Sequence, residues 1–522
     1  MKHAIAFAIM LGWTTIAFGL TGQPGIHDPS KVIECDGKYY CYGTGGNIPI
    51  LVSDDGWTWR SGGNVMSHLD GGRAGQETLQ YAGGNSGTSV WAPDIVKVGD
   101  NYFLYYALSG SAHRAVVGLL TNKTLDPESP DYQWIDGGPI AWSRGEGIDN
   151  LHAIDPGIMY DPNNNVLVLV YGSYYGDTRL AKLDPNTGKR ISGGPSDDTV
   201  VANQSEAPVT IYHDGWYYLL TNKGTCCAGA TSTYNIRVAR SRNIDGPYID
   251  DQGITMARGG GKLFVASGDR KIGPGHFGLL DLGDGVQKFS CHYEADLDHT
   301  GSVLDIRSLM WRDGWPIAGD NVKEGTYQIM SNRYGTVLEL AVPGIPVTGR
   351  RGRGGMMRGT RGGTRGSTRG SARGAAPAGA PEAATVNGIS PEATVEQASQ
   401  NWSKELTEVR AAPYLLQAQQ QWAIIPLTDE GGYPGSPYFK LTIAGTDWTL
   451  TTTEDDELIM MPSFTGADEQ IWRIDQMADG SYRFAPKSRR DNLALTSIGR
   501  SYVTLAPFTE DNPNQRWLIK RP

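Results

Sequence analysis

Four acidic residues recur at similar places in short repeated segments of this 522-residue chain: Asp28 in HDPS, Asp94 in WAPD, Asp155 in AIDP and Glu206 in SEAP. A single Asp-Pro is most simply a turn whose carboxylate caps its own backbone. Four acids at one kind of position in successive repeats point instead to side chains that meet. Gathered carboxylates can hold different protonation states, because like charge raises a neighbour's pKa. Hydrolysis of a glycosidic bond needs such a division, with one carboxylic acid to protonate the leaving oxygen and one carboxylate across the sugar to activate water. A third carboxylate beside the acid keeps its proton available near neutral pH.

The elements that position them repeat as well. Each acidic or proline-containing segment opens a unit of apolar strand, polar turn and aromatic strand: HDPSKVIE with DGKYYCYGT from His27, WAPDIVKV with GDNYFLYYALS from Trp91, AIDPGIMYD with NNNVLVLVYGSYYG from Ala153, SEAPVTIYH with DGWYYLLTNKG from Ser205, and a looser GPGHFGLLD with GVQKFSCHYEAD from Gly273. Units of four-strand size at this spacing are propeller blades, and five repeats mean five blades. The innermost strand of each blade borders a central channel, so residues distant in sequence converge there. From Glu324 onward the pattern changes to three Gln-x-Trp triplets, Gln420/Trp422, Gln470/Trp472 and Gln515/Trp517, each followed by a short apolar strand. Between about 342 and 395 lies a Gly, Arg, Ala and Pro stretch too poor in apolar residues to offset chain entropy, which predicts a disordered insertion in the first of these repeats.

Composition agrees with a mostly β chain: 69 Gly, 25 Tyr and 14 Trp favour turns, short strands and aromatic surfaces. The net charge is −10, and the basic residues include eight arginines between Arg350 and Arg373 in a stretch without acids, so the folded parts are acidic and no nucleic acid is expected as partner. Lys2 and His3 followed by an apolar run from Ala4 to Leu20 predict a signal peptide over 1–21, and hence a secreted or periplasmic protein. No second apolar stretch is long enough to span a membrane. Five cysteines, an odd number, cannot all pair within one chain. Adjacent Cys226 and Cys227 are poorly placed for a relaxed disulfide, so the cysteines are read as mainly structural.

The set HDPS, WAPD, AIDP, SEAP and FSCHYEAD, in this order from residue 27 to 296, resembles glycoside hydrolase family 43, the five-bladed arabinanase and xylosidase family. GTCCAGATSTYNIRVARS and GTGGNIPILVSDDGWTW resemble its arabinan-active members. The resemblance implies that Asp28 is the general base, Glu206 the general acid and Asp155 the residue that raises the acid's pKa and orients it. It further implies that Trp91 walls the sugar subsite. His27 and His152 stand beside these motifs as candidate sugar contacts, although His152 can equally fill the groove edge. The family's ion-anchoring histidine falls on His292, which implies a calcium ion at the channel floor. The Gln-x-Trp repeats resemble ricin-B-like β-trefoil carbohydrate-binding modules, with Glu339, Thr449 and Ala494 at the positions of the sugar-binding acid.

Together these observations predict an all-β chain: a five-bladed β-propeller over 22–320 followed by a β-trefoil over 324–522. The predicted activity is inverting hydrolysis of arabinose-containing plant cell-wall polysaccharide by a monomer, with endo-hydrolysis of 1,5-α-L-arabinan preferred. The alternatives are an exo-acting α-L-arabinofuranosidase or β-xylosidase of the same fold, or a catalytically silent carbohydrate-binding protein. The complete Asp28, Asp155, Glu206 set argues against the last.

Overall fold

A computed structural model describes residues 19–268, 270–296, 301–341, 408–488 and 492–522. The insertion and nearly all of the leader expected from sequence lie outside these residues. Five four- or five-stranded sheets, antiparallel except where Thr21–Gly22 joins the first, follow one another along the chain, with innermost strands Ile33–Cys35, Ser89–Val98, Gly157–Asp161, Glu206–His213 and Lys271–Asp281. Alternation of side chains across each sheet puts an apolar set on both faces, and these sets fill the spaces between neighbouring blades. Blades one and two share a core that includes Tyr42, Val52, Ile95 and Leu104. Blades two and three meet through Phe103, Val117, Ile158 and Leu169, three and four through Val168, Leu180, Leu219 and Ala239, and four and five through Ile211, Val238, Phe289 and Leu309. The ring closes where Leu280, Leu304 and Ile306 of blade five pack on Val32, Cys41, Trp57 and Trp59 of blade one. Backbone bonds from Ile26 to Ser302 and from Leu304 to Pro24 tie the same seam.

Leu20 is buried in that closing core, and Thr21–Gly22 pairs in parallel with Thr58–Trp59. The fold thus includes residues 20 and 21, which the predicted leader boundary had placed outside it. No helix among the described residues is long and apolar enough to cross a membrane.

Compactness divides the chain at Lys323/Glu324, but the two units are not contiguous in sequence. Segments Pro426–Tyr438 and Arg473–Tyr482 belong with the propeller, while Glu324–Ile425, Phe439–Trp472 and Arg483–Pro522 form a second, β-rich unit. Three similar repeats build the second unit. In each, a 3-10 turn ends on a buried glutamine, Gln420, Gln470 or Gln515, and a fully buried tryptophan follows two residues later. The indole N–H groups of Trp422, Trp472 and Trp517 donate to the carbonyls of Leu338, Leu450 and Leu495 at 2.8, 3.2 and 2.8 Å. Those partners are 84, 22 and 22 residues away, so the long insertion falls inside the first repeat.

The glutamine side chains show which positions correspond. Their amide groups donate to Glu339, Thr451 and Thr496. Glu339 therefore matches Thr451 and Thr496, rather than Thr449 and Ala494 as its motif had suggested. It is a buried carboxylate held by Gln420 and Arg410, so an internal brace occupies the position expected to bind sugar.

Candidate active site

One residue at the inner edge of every blade lies in the left-handed backbone region: Asp28, Ala92, Asp155, Ala207 and His276, with φ between 41° and 56°. A residue with a Cβ rarely adopts this conformation, and such strain persists only where surrounding structure imposes it. Proline follows in four of the blades and Phe277 in the fifth, and these five rings line a narrow cavity at the centre of the propeller. In blades two, four and five the ladder register shifts at this point, which re-aims the side chains just before and after it. Asp28, Asp155 and His276 thus occupy one equivalent position in blades one, three and five. Glu206 and Trp91 stand one residue earlier in blades four and two.

Asp94 does not join them. Its carboxylate accepts from the backbone and ammonium of Lys31 and from the amide of Ile158, a clasp between blades one, two and three. Two residues beyond the left-handed position, its side chain serves the blade contacts.

Asp28 is bound on both oxygens. Thr44 donates its hydroxyl at 2.6 Å, and His276 Nε2 lies 3.0 Å from the other oxygen. Burial pushes this carboxyl up, but the charge and hydrogen bond of His276, aided by His27, hold it well below the usual carboxylate range. Asp155 accepts the amide of Ala207 at 3.1 Å, which links blades three and four; burial raises its pKa, with His276 opposing and Asp28 adding to the rise. Glu206 accepts the Tyr234 hydroxyl at 2.8 Å, yet burial and the neighbouring Asp155 push it up to about 8. Two carboxyls in one channel are thereby held in opposite states at neutral pH, Asp28 ionised and Glu206 protonated.

His276 escaped the sequence reading because its repeat, GPGHFGLLD, is the least regular of the five. Burial lowers its pKa, but Asp28 above all, then Asp155 and Glu206, raise it to about 9. The residue whose charge meets all three acids is therefore His276. His292, expected on the channel axis beneath them, sits behind Asp28: its Nδ1 accepts the Asp28 amide at 2.9 Å, and burial keeps the ring neutral. Its other nitrogen, Nε2, is buried without a hydrogen-bond partner among the described residues. Gly275 permits this packing, since a Cβ there would stand 2.4 Å from the Tyr234 ring and 2.9 Å from Nε2. With Nδ1 accepting, the neutral ring carries its proton on Nε2, so that nitrogen presents an N–H and not a lone pair, and His292 as placed does not fit the role of cation ligand that the resemblance implies. His27 and Asp28 lie in the same group of potential ligands.

The remaining candidates divide. Trp91 is 37% exposed, the condition for an aromatic wall to reach a ligand. His27 bonds Ser302 through Nδ1 and places Nε2 3.4 Å from Asp28. His152 is buried, with its nitrogens bonded to Ser109 and Ser173, and burial lowers its pKa to about 4. Both its polar atoms are occupied, which favours the groove-filling alternative over sugar contact. His113 and the exposed Tyr175 stack at 3.9 Å beside it. Tyr174, whose pKa is raised by burial and then by Glu206 and Asp155, also stands near the acids.

The profile of Glycosyl hydrolases family 43 matches residues 23–316. The extracellular exo-α-(1→5)-L-arabinofuranosidase of Cellvibrio japonicus is 31% identical over 60% of this chain and 92% of its own length. The extracellular endo-α-(1→5)-L-arabinanase 1 of Bacillus subtilis is 30% identical over 56% of this chain and 87% of its own. Among solved structures, an exo-1,5-α-L-arabinanase from a bovine ruminal metagenomic library superposes with a TM-score of 0.52 at 34% identity, covering 58% of this chain and 99% of that one. The profile match runs from the first blade to the last, and the chain belongs to glycosyl hydrolases family 43.

Proposed function

We propose that the propeller hydrolyses 1,5-α-L-arabinan with inversion, in the endo mode, with Asp28 as general base, Glu206 as general acid and Asp155 tuning the acid. The observation that carries this reading is the opposite displacement of the two carboxyls: His276 keeps Asp28 ionised, while burial and Asp155 keep the proton on Glu206. Asp28 would take a proton from water as it attacks the anomeric carbon, and Glu206 would give its proton to the departing oxygen. Tyr234 and Thr44 orient the two carboxyls, and Trp91 offers a face for the apolar side of the sugar. Substrate identity rests on relatives named for arabinan. Relatives of both exo and endo name stand at similar identity, so an exo-acting α-L-arabinofuranosidase is the second reading.

The calcium ion that the resemblance implies at His292 is not part of this proposal, because the neutral ring accepts the Asp28 amide at Nδ1 and therefore holds its proton, not a lone pair, on Nε2. The β-rich second unit is read as a ricin-B-like β-trefoil from its three Gln-x-Trp repeats, and the chain as a monomeric, exported enzyme.

The test is the product profile on linear arabinan, arabinoxylan and aryl glycosides, with product anomers followed by NMR. Mixed arabino-oligosaccharides of inverted configuration are expected. Arabinose alone would favour the exo reading, xylose release would overturn the substrate, and retained anomers would overturn the mechanism. Chelation is expected to leave activity unchanged, and a loss that calcium restores would overturn this reading of His292.

A further inference from the structure

Cys226 and Cys227, adjacent in sequence and poorly placed for a relaxed disulfide, are joined in one in the structure. The turn that brings the sulfurs together takes Cys227 into the left-handed backbone region, with φ of 59°. Cys35, Cys41 and Cys291 are free and buried, as structural cysteines should be, whereas Cys227 is exposed.

The position of the pair is held from below. Glu294, buried on the strand Gln287–Asp296, accepts the backbone amides of Cys227, Ala228 and Gly229 at 2.6, 2.9 and 3.3 Å. The ends of the loop are closed by bonds from Thr225 to the Thr233 hydroxyl and from the Ser232 hydroxyl to the Thr225 carbonyl. A buried carboxylate that binds three successive amides of one exposed loop fixes that loop closely. What it fixes lies beside the reacting groups. Sγ of Cys227 is 3.7 Å from Nε2 of His27, and the same nitrogen is 3.4 Å from the Asp28 carboxylate. One imidazole ring therefore separates the disulfide from the proposed base.

We propose that the Cys226–Cys227 disulfide is a wall of the sugar site, packing its sulfurs against the C–H face of an arabinofuranose whose anomeric carbon lies at Asp28, with Glu294 as the positioning residue beneath it. A disulfide has no hydrogen bond to satisfy and presents soft, polarisable atoms, which suits it to the apolar face of a sugar beside the polar groups that bind the hydroxyls. The proposal rests on the reading of the channel as an arabinan-cleaving site.

Two experiments test it on the full-length protein. In the first, Cys226→Ser/Cys227→Ser and Glu294→Gln are compared with the native enzyme on linear arabinan. Loss of one apolar wall is expected to raise KM about tenfold and to change kcat much less. The second needs no substitution in the loop. A water-soluble phosphine breaks the S–S bond and leaves two S–H groups while taking oxygen from water to become its oxide, and the new thiols are alkylated and counted by mass spectrometry. The other three cysteines are buried, so the labels report on this pair. Run on Glu206→Gln, in which arabinan turnover is expected to fall about 10²- to 10⁴-fold, a linear α-1,5-arabino-oligosaccharide should slow reduction severalfold, whereas a xylo-oligosaccharide should not.

Protection together with a raised KM supports the wall. Should the serine variant fail to fold, the protection experiment decides alone. A native enzyme active on arabinan, with unprotected sulfurs and unchanged KM in Glu294→Gln, overturns this inference and leaves the substrate reading intact. A native enzyme inactive on arabinan overturns both.

Discussion

The two units of this chain use repetition in opposite ways. In the second unit, three equivalent positions carry the same tryptophan, and each indole donates to an equivalent leucine carbonyl. In the propeller, five equivalent positions carry Asp28, Ala92, Asp155, Ala207 and His276, which share a strained backbone and little else. Identical, internally satisfied residues are architecture, since each repeat faces the same packing problem. Different polar residues at a strained, repeated position are the mark of chemistry, because strain and buried charge persist where function imposes them.

The largest effect that sharpens this contrast should come from Asp28→Asn. Water activation is needed whatever the leaving group, so kcat on polysaccharide and on aryl substrates alike is expected to fall about 10²- to 10⁴-fold with the fold retained. A loss confined to polysaccharide would remove Asp28 from the base role. Trp472→Ala should behave in the reverse manner. Removing a fully buried tryptophan is expected to destabilise the second unit by about 3–5 kcal/mol in thermal unfolding, with hydrolysis of short soluble oligosaccharides unchanged. If hydrolysis fails while the propeller stays folded, the division between architecture and chemistry breaks.

Smaller effects concern pH. Glu206 must be protonated to act, so activity should fall as pH rises through about 8. The Tyr234 hydroxyl favours the ionised form of Glu206, so Tyr234→Phe should move that alkaline limb upward by about one pH unit. A limb that stays still or moves down would detach it from Glu206. Stability has the same sign. His276 is raised from 6.5 to about 9, so its contribution is fully present below about 6.5 and is lost as pH rises through about 9. His276→Gln should therefore flatten the loss of melting temperature between those values.

Much of this was legible in the sequence, for identifiable reasons. The blades could be counted because each opens on a short polar or proline-bearing motif followed by an apolar strand, a local pattern that survives without knowledge of the neighbours. Asp28, Asp155 and Glu206 were visible because acids at strand starts stand out against that pattern. Asp94 looked equivalent to them, but a displacement of two residues turned it toward Lys31, and such register is set by pairing between strands. His276 was hidden for the converse reason: its motif is irregular, and only the shared left-handed backbone reveals its equivalence to Asp28 and Asp155. Glu339 was likewise visible as an acid, while its bond to Gln420, 81 residues away, was not.

The central claim is that Glu206 carries the proton and Asp28 does not, and Glu206→Gln measured on two leaving groups tests it most directly. Linear arabinan needs its leaving oxygen protonated, whereas an aryl α-L-arabinofuranoside with an acidic phenol departs without that help. Arabinan hydrolysis is predicted to fall about 10²- to 10⁴-fold while aryl hydrolysis falls far less. Equal loss on both substrates would contradict the assignment of Glu206 as the acid.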